Sequence, residues 1–296
     1  MTARNKKHRD NSRKFVLPTK KSLGQHFLRD PRILQKIADA AKLTPDDTVL
    51  EVGPGEGTLT ELLLRRAGRV IAVEKDTRLI PFLQKKFAQD MASGKLELVH
   101  SDILSFNPSA YSLEPRAYRI VANLPYYITG AFLRKSLQET KHPPTSMTLL
   151  LQKEVAKRIV AADGKESVLS ISVKAYGAPK YIGTVKAGAF SPPPKVDSAI
   201  IAIGGISKKF FADIGCHPRE CGDPVEKERN LDSRLRGNDI EQGFFELLKK
   251  GFAHPRKFVA SNLHISVEAL KKCGVDEKAR PENLSLEHWR LLASDA

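Results

Sequence analysis

Residues Asn123-Leu124-Pro125-Tyr126 bring together a side-chain amide, a backbone carbonyl followed by a residue with no N–H, and an aromatic face. That combination suits chemistry on an exocyclic amine. An amine held by acceptors can pyramidalise as its lone pair attacks an electrophile. The Asn123 oxygen and the Leu124 carbonyl can accept, Pro125 removes a competing donor, and Tyr126 can stack on a base. A second constellation, Glu51-Val-Gly53-Pro-Gly55-Glu-Gly57-Thr, lies between a strand-like run and a helix-like one. Glycines there let the backbone pass close beneath a ligand, and the following helix offers free N–H groups. The spacing is not the G-x-G-x-x-G of a dinucleotide pyrophosphate site. A carboxylate at Glu51 suits the cationic methionine moiety of S-adenosylmethionine better than a phosphate. Glu74, about one βα unit later, can accept from both hydroxyls of a ribose. Asp102, after a third strand-like run, can accept from the amine of the cofactor's adenine.

These residues need a scaffold that places strand ends side by side. Runs at 48–52, 69–73, 95–100, 119–122 and 146–151 are short, apolar and strand-like. Helix-like runs at 59–66, 78–87, 128–137 and 154–161 follow them. Such alternation predicts a mostly parallel, doubly wound α/β sheet that binds ligands at the carboxyl ends of its strands. Residues 167–176 fit helix or strand, and 198–203 reads as a strand. Helical runs at 242–251, 256–263, 267–273 and 286–293 predict a small α-helical C-terminal domain. The chain therefore divides into a basic tail (1–21), a catalytic domain (22–205) and a helical domain (206–296). Residues 215–239, rich in Gly, Pro, Arg and Asp, have no hydrophobic period. They read as an inserted, exposed and flexible loop whose removal would leave activity and stability nearly unchanged.

The chain of 296 residues carries a net charge of +15, and residues 1–21 contribute +7 of it. Such a balance favours a polyanionic partner, because each neutralised phosphate releases condensed counterions. Three cysteines cannot build a disulfide framework and suit a reducing cytoplasm. No apolar run of about 18 residues is long enough to span a membrane, and no secretory leader is expected. Cys216, Cys221 and His217 cluster, but three ligands without C-x₂-C spacing do not predict zinc.

Gln25-His26-Phe27-Leu28, the glycine loop, Glu74, Asp102, Asn123 to Tyr126, Leu151-Gln152-Lys153-Glu154-Val155 and Phe190-Ser-Pro-Pro-Pro-Lys-Val-Asp197-Ser198 stand in order. Together they resemble the bacterial small-subunit ribosomal RNA adenine N6,N6-dimethyltransferase family, and the resemblance extends into residues 252–263 and 280–285. It implies a class I (Rossmann-like) methyltransferase fold with a helical C-terminal domain. The implied reaction dimethylates two adjacent adenines in a hairpin loop near the 3′ end of 16S rRNA, from S-adenosylmethionine, with a role in ribosome biogenesis. The implied substrate is small-subunit rRNA or a pre-30S particle, and the enzyme would act as a cytoplasmic monomer without metal. The resemblance also implies that His26 and Leu28 line the cofactor pocket, with Gly53 beneath the methionine part and Gly55 a further cofactor-binding residue. Asn123 would hold the target amine, and Tyr126 and Phe190 would sandwich the flipped base. The 215–239 segment has no counterpart in that family.

Other readings are a large-subunit rRNA adenine methyltransferase, a ribosome-assembly factor that binds RNA without catalysis, and an organellar homologue. Leu124 and the proline-rich 190–198 segment favour the small-subunit enzyme over the first. The Asn123 to Tyr126 string argues for retained catalysis. A Lys-rich N-terminus without amphipathic period argues against a transit peptide. A nicotinamide oxidoreductase fails on the glycine spacing.

Overall fold

The computed structural model of the chain describes residue 20 and residues 23–115, 117–214 and 233–294, with no side-chain description for 233–238. The basic tail and residues 215–232 lie outside the described residues. Among the described residues the strands are β1 (Phe27–Leu28), β2 (Thr48–Val52), β3 (Arg69–Glu74), β4 (Leu96–His100), β5 (Tyr118–Asn123), β6 (Ser146–Gln152), β7 (Ala178–Val185), β8 (Phe190–Ser191) and β9 (Ser198–Gly204). The α-helices between them are α1 (Pro31–Ala40), α2 (Thr58–Leu64), α3 (Ile80–Lys86), α4 (Ala88–Ala92), α5 (Thr129–Arg134), α6 (Lys153–Val160) and α7 (Val168–Lys174). Beyond the sheet come α8 (Lys209–Ile214), α9 (Ser233–Gly251), α10 (Val259–Leu263), α11 (Val267–Lys272) and α12 (Leu286–Ser294).

Seven strands form one sheet in the order β4-β3-β2-β5-β6-β9-β7. The first five are parallel, and β9 pairs antiparallel with both β6 and β7. The two shortest strands, β1 and β8, form a separate antiparallel pair, Phe27 opposite Ser191 and Leu28 opposite Phe190. Side chains alternate faces along a strand, and the core divides accordingly. Leu50, Ile71, Ile120, Leu149 and Ile201 belong to one apolar cluster. Val49, Val70, Val121, Leu150 and Ile200, each one residue away, belong to the other. The first cluster is continuous with Phe244, Leu248 and Trp289 of the C-terminal helices, so that part of the chain packs on the same core as the sheet.

Local chemistry sets several element ends. Asp30 caps α1 by accepting the Arg32 N–H at 2.9 Å, with proline at the helix's first position. A reciprocal Ser167–Ser170 capping box starts α7, which resolves residues 167–176 as helix. Helix α9 begins at Ser233, inside the segment read from sequence as a loop. Extending an existing helix costs far less than nucleating one, so the 242–251 run propagates backwards. Deleting all of 215–239 would therefore remove the start of α9 as well.

Candidate active site

The principal cavity opens at the carboxyl ends of β2, β3, β4 and β5. It lies where the strand order reverses between β2 and β5, as open α/β sheets place their ligand crevices. Five segments wall it: residues 23–28, 51–59, 73–75, 101–103 and 123–128. His26, Leu28, Glu51, Gly53, Gly55, Glu74, Asp102, Asn123, Leu124, Pro125 and Tyr126 all line it. Phe190 does not. It is 5% exposed, beside Leu28 in the β1–β8 pair, and packed in the apolar cluster of Phe27 and Leu34.

The glycine loop is shaped by sterics. Gly57 precedes α2 with φ +73°, and a Cβ there would lie 2.5 Å from the Phe87 ring. Any side chain is excluded on both counts. Gly53 has φ +69°, donates its N–H to the Val73 carbonyl at 2.9 Å, and has open space where a Cβ would stand. That space belongs to the cavity and forms the cradle a ligand needs.

Two carboxylates face this cradle from neighbouring strands. Glu74, 6% exposed, accepts the Asp76 N–H at 2.7 Å and the Gly55 N–H at 3.2 Å. Burial raises its pKa, and these backbone donors oppose the rise. Glu51 is 1% exposed, and its Oε2 has no partner among the described residues. Burial pushes its pKa up to about 8, reinforced by the charge of Glu74 and opposed by the nearby Thr60 hydroxyl and Lys86. Two buried acids side by side, one with an orphaned oxygen, fit a cationic ligand, whose charge would draw Glu51 into its ionised form.

The Glu51 pKa carries a pH dependence whose sign follows from linkage. Between pH 4.5 and about 8 the unfolded chain has released a proton that the folded chain retains. Stability is fully present below the lower value and declines as pH rises to the upper, by up to about 5 kcal/mol. Glu51→Gln is neutral throughout and removes that slope. Thermal melts without ligand should show the wild-type Tm falling over this range and a much flatter variant. Equal slopes would show that Glu51 is ionised in the fold.

Asp102 accepts the Leu104 N–H at 2.9 Å through one oxygen and Lys75 Nζ at 2.8 Å through the other. The Lys75 ammonium holds its carboxyl below the usual range. Asp76, also buried, is held down at about 2 by Arg78, and Gln25 Nε2 reaches it at 2.7 Å. Gln25 thus ties the 23–28 segment to the end of β3. Sequence reasoning missed Asp76, although its place two residues after Glu74 was a signal.

At the mouth of β5, Asn123 Nδ2 donates to the His26 carbonyl at 3.2 Å. Its Oδ1 receives no donor among the described residues and is left for a ligand. The Tyr126 hydroxyl shares a hydrogen bond of 2.6 Å with Ser198 Oγ, at the first residue of β9. His26 Nδ1 lies 2.7 Å from the Pro192 carbonyl, and the His26 and Tyr126 rings, both lining the cavity, are near-parallel with centroids 6.0 Å apart. Among the described residues no group of three or more His, Cys, Asp or Glu side chains could hold a metal ion. Nor is any helix among them long and apolar enough to cross a membrane.

Comparison with known proteins places this geometry. A family model described as ribosomal RNA adenine dimethylase matches residues 16–213. Ribosomal RNA small subunit methyltransferase A of Dehalococcoides mccartyi strain CBDB1 is 42% identical over 286 residues, covering 94% of this chain and 88% of its own. The protein of the same name from Alkaliphilus oremlandii is 34% identical, covering 98% and 96%. Among solved structures, the 23S rRNA methyltransferase ErmE superposes with a TM-score of 0.67 at 27% identity, over 90% of this chain and 98% of its own. A dimethyladenosine transferase from Plasmodium falciparum gives a TM-score of 0.69 at 24% identity, over 90% and 96%, and shares the fold.

Proposed function

This chain belongs to the ribosomal RNA adenine dimethylase family, and from that premise we propose that it dimethylates adenine N6 in small-subunit ribosomal RNA with S-adenosylmethionine as donor. The finer substrate reading is a pair of adjacent adenines in a hairpin loop near the 3′ end of 16S rRNA. One observation carries the chemistry: the Asn123 amide is anchored through its nitrogen, with its oxygen left for a substrate amine beside a cavity holding Glu51 and Glu74.

When bound, S-adenosylmethionine supplies an electrophilic methyl on a sulfonium. The cradle fits that group. Glu74 would hold the ribose, Asp102 the adenine, and Glu51 with Gly53 and Gly55 the cationic methionine end. His26 and Leu28 close the cavity from the N-terminal segment. Across from them, Asn123 Oδ1 and the Leu124 carbonyl accept hydrogen bonds from the target amine and turn its lone pair toward the methyl. Tyr126 supplies a stacking face for the base. As the N–C bond forms, the methyl's bond to sulfur would break and neutral S-adenosylhomocysteine would leave; the alkylated amine would then give its proton to water, so no strong base is needed, and a second round with a fresh donor would give the N6,N6-dimethyl product.

The deciding experiment incubates the protein with a mixture of unmethylated small and large ribosomal subunits and labelled donor, then separates and digests each RNA for mass spectrometry. Dimethyladenosine in small-subunit rRNA is expected; label confined to large-subunit rRNA overturns the reading.

Phosphate contacts supply much of the affinity for RNA, and residues 1–21 carry a net +7. RNA affinity should therefore fall steeply with salt, and removing residues 1–21 should make the log–log slope shallower. An unchanged slope would assign the contacts to the folded domains.

A further inference from the structure

We infer that Lys135 is a positioning residue for the cofactor's adenine, holding Asp102 in place through Leu104. The inference rests on the placement of adenine at Asp102 proposed above, and it adds a side chain from outside the cavity. Asp102 lines the cavity with Ser101 and Ile103, whereas Lys135 lies outside that lining. The carboxylate stands on a turn, residues 101–106, that follows β4 and belongs to no strand or helix. Its direction therefore depends on side-chain and peptide contacts made one at a time.

Two contacts orient it. Lys75 Nζ reaches one oxygen at 2.8 Å, but that side chain is half exposed on a flexible stem. The other oxygen accepts the Leu104 N–H at 2.9 Å. A backbone donor aims a carboxylate only as firmly as its own residue is held. The bonds from Ser105 N to the Asp102 carbonyl and from Phe106 N to the Ile103 carbonyl close within the turn itself. Lys135 supplies a tie from another element, donating from Nζ to the Leu104 carbonyl at 2.5 Å.

The origin of that side chain is firm. Lys135 opens a single π-turn, Lys135–Glu139, that continues α5, and the next two residues, Ser136 and Leu137, are buried. Desolvation lowers the Lys135 pKa, opposed by the charges of Glu139 and Asp102. Taking an amine from water costs free energy unless it is hydrogen-bonded, and the bond to Leu104 offsets that cost. An acceptor held at a fixed angle also discriminates. The adenine 6-amine donates to Asp102, whereas a 6-oxo purine sets oxygen against oxygen. A loosened carboxylate turns away from the oxo group and loses that selectivity.

The test reads selectivity as well as affinity. Calorimetry on the full-length protein compares S-adenosylhomocysteine with S-inosylhomocysteine, in which oxygen replaces the 6-amine. Lys135→Met removes the donor, Lys135→Gln shortens it out of reach, and Lys135→Arg keeps one. We expect the Met and Gln variants to bind S-adenosylhomocysteine roughly three- to tenfold more weakly, the range for one hydrogen bond. Their preference for the adenosyl ligand should narrow by at least the same factor, and Lys135→Arg should restore most of both. In an Asp102→Ala background, Lys135→Met should change neither affinity by as much as about twofold, because its effect runs through that carboxylate. Equal losses for the two ligands, an undiminished loss in the Asp102→Ala background, or wild-type binding by both Met and Gln variants overturns the proposal. If Asp102→Ala itself binds both ligands as the wild type does, the placement of adenine at Asp102 fails, and the proposal falls with it.

Discussion

Replacing Asn123 with alanine lowers the single-turnover methylation rate by roughly 10²- to 10³-fold, the range for loss of one preorganised polar contact to a reacting group. The affinity for S-adenosylhomocysteine should change by no more than about threefold, because that ligand lacks the amine Asn123 holds. The asymmetry follows from where the side chain is anchored. Its nitrogen is committed to the His26 carbonyl, so its oxygen makes its contact only once the base has entered. An interaction strengthened in the transition state appears in kcat rather than in ground-state binding. Stopped single-turnover assays with saturating enzyme read the rate, and calorimetry reads the affinity. Parallel losses in both would make Asn123 a tie between the 23–28 segment and β5, with no part in the reaction.

Glu74→Ala should produce the converse result, with S-adenosylhomocysteine affinity falling at least about 100-fold and RNA binding little altered. Hydrogen bonds to a charged group contribute roughly 1.5–3 kcal/mol each, and each 1.4 kcal/mol is a factor of ten. Glu74 also accepts the Gly55 and Asp76 N–H groups. The variant therefore frees the glycine loop as well as losing its ligand contact, and both effects fall on the cofactor. Retained affinity for S-adenosylhomocysteine would show that the ribose is held elsewhere.

Much of this site was readable in the residues, for a definite reason. Glycines forced into positive φ, carboxylates at strand ends and the Asn123 to Tyr126 string act through local geometry, which spacing reports. The central strands β2, β3, β5 and β6 were equally legible, since strands covered on both faces are largely apolar. The edge strand β7 was not. Its side chains are mostly exposed or half-buried, it contains Pro179 and Gly183, and its register shifts near Gly183, so no hydrophobic period marks it. Contacts between distant segments were equally hidden: Tyr126 with Ser198, Gln25 with Asp76, Lys75 with Asp102. Each depends on which strand ends the topology brings together. Phe190 was placed by motif alone; its pairing with Leu28 across β1 and β8 depends on the same long-range topology.

The position of β9 between β6 and β7 bears on how the chain is made. A ribosome delivers β7 before β9, yet β7 has no neighbour in the sheet except β9. Strands β2 to β6 can pair as they emerge, leaving β6 with one open edge. Until residue 204 has been added, β7 is a second unpaired strand, and the apolar face that α9 and α12 later cover is bare. Synthesis at about 5–20 residues per second makes that interval short. A chain released after ending between residues 185 and 198, however, shows the open edge of β6 and a wholly unpaired β7 at once, unpaired backbone that templates intermolecular pairing. Fragments ending in that window should collect in the insoluble fraction, so translational pausing there is a hazard of this strand order.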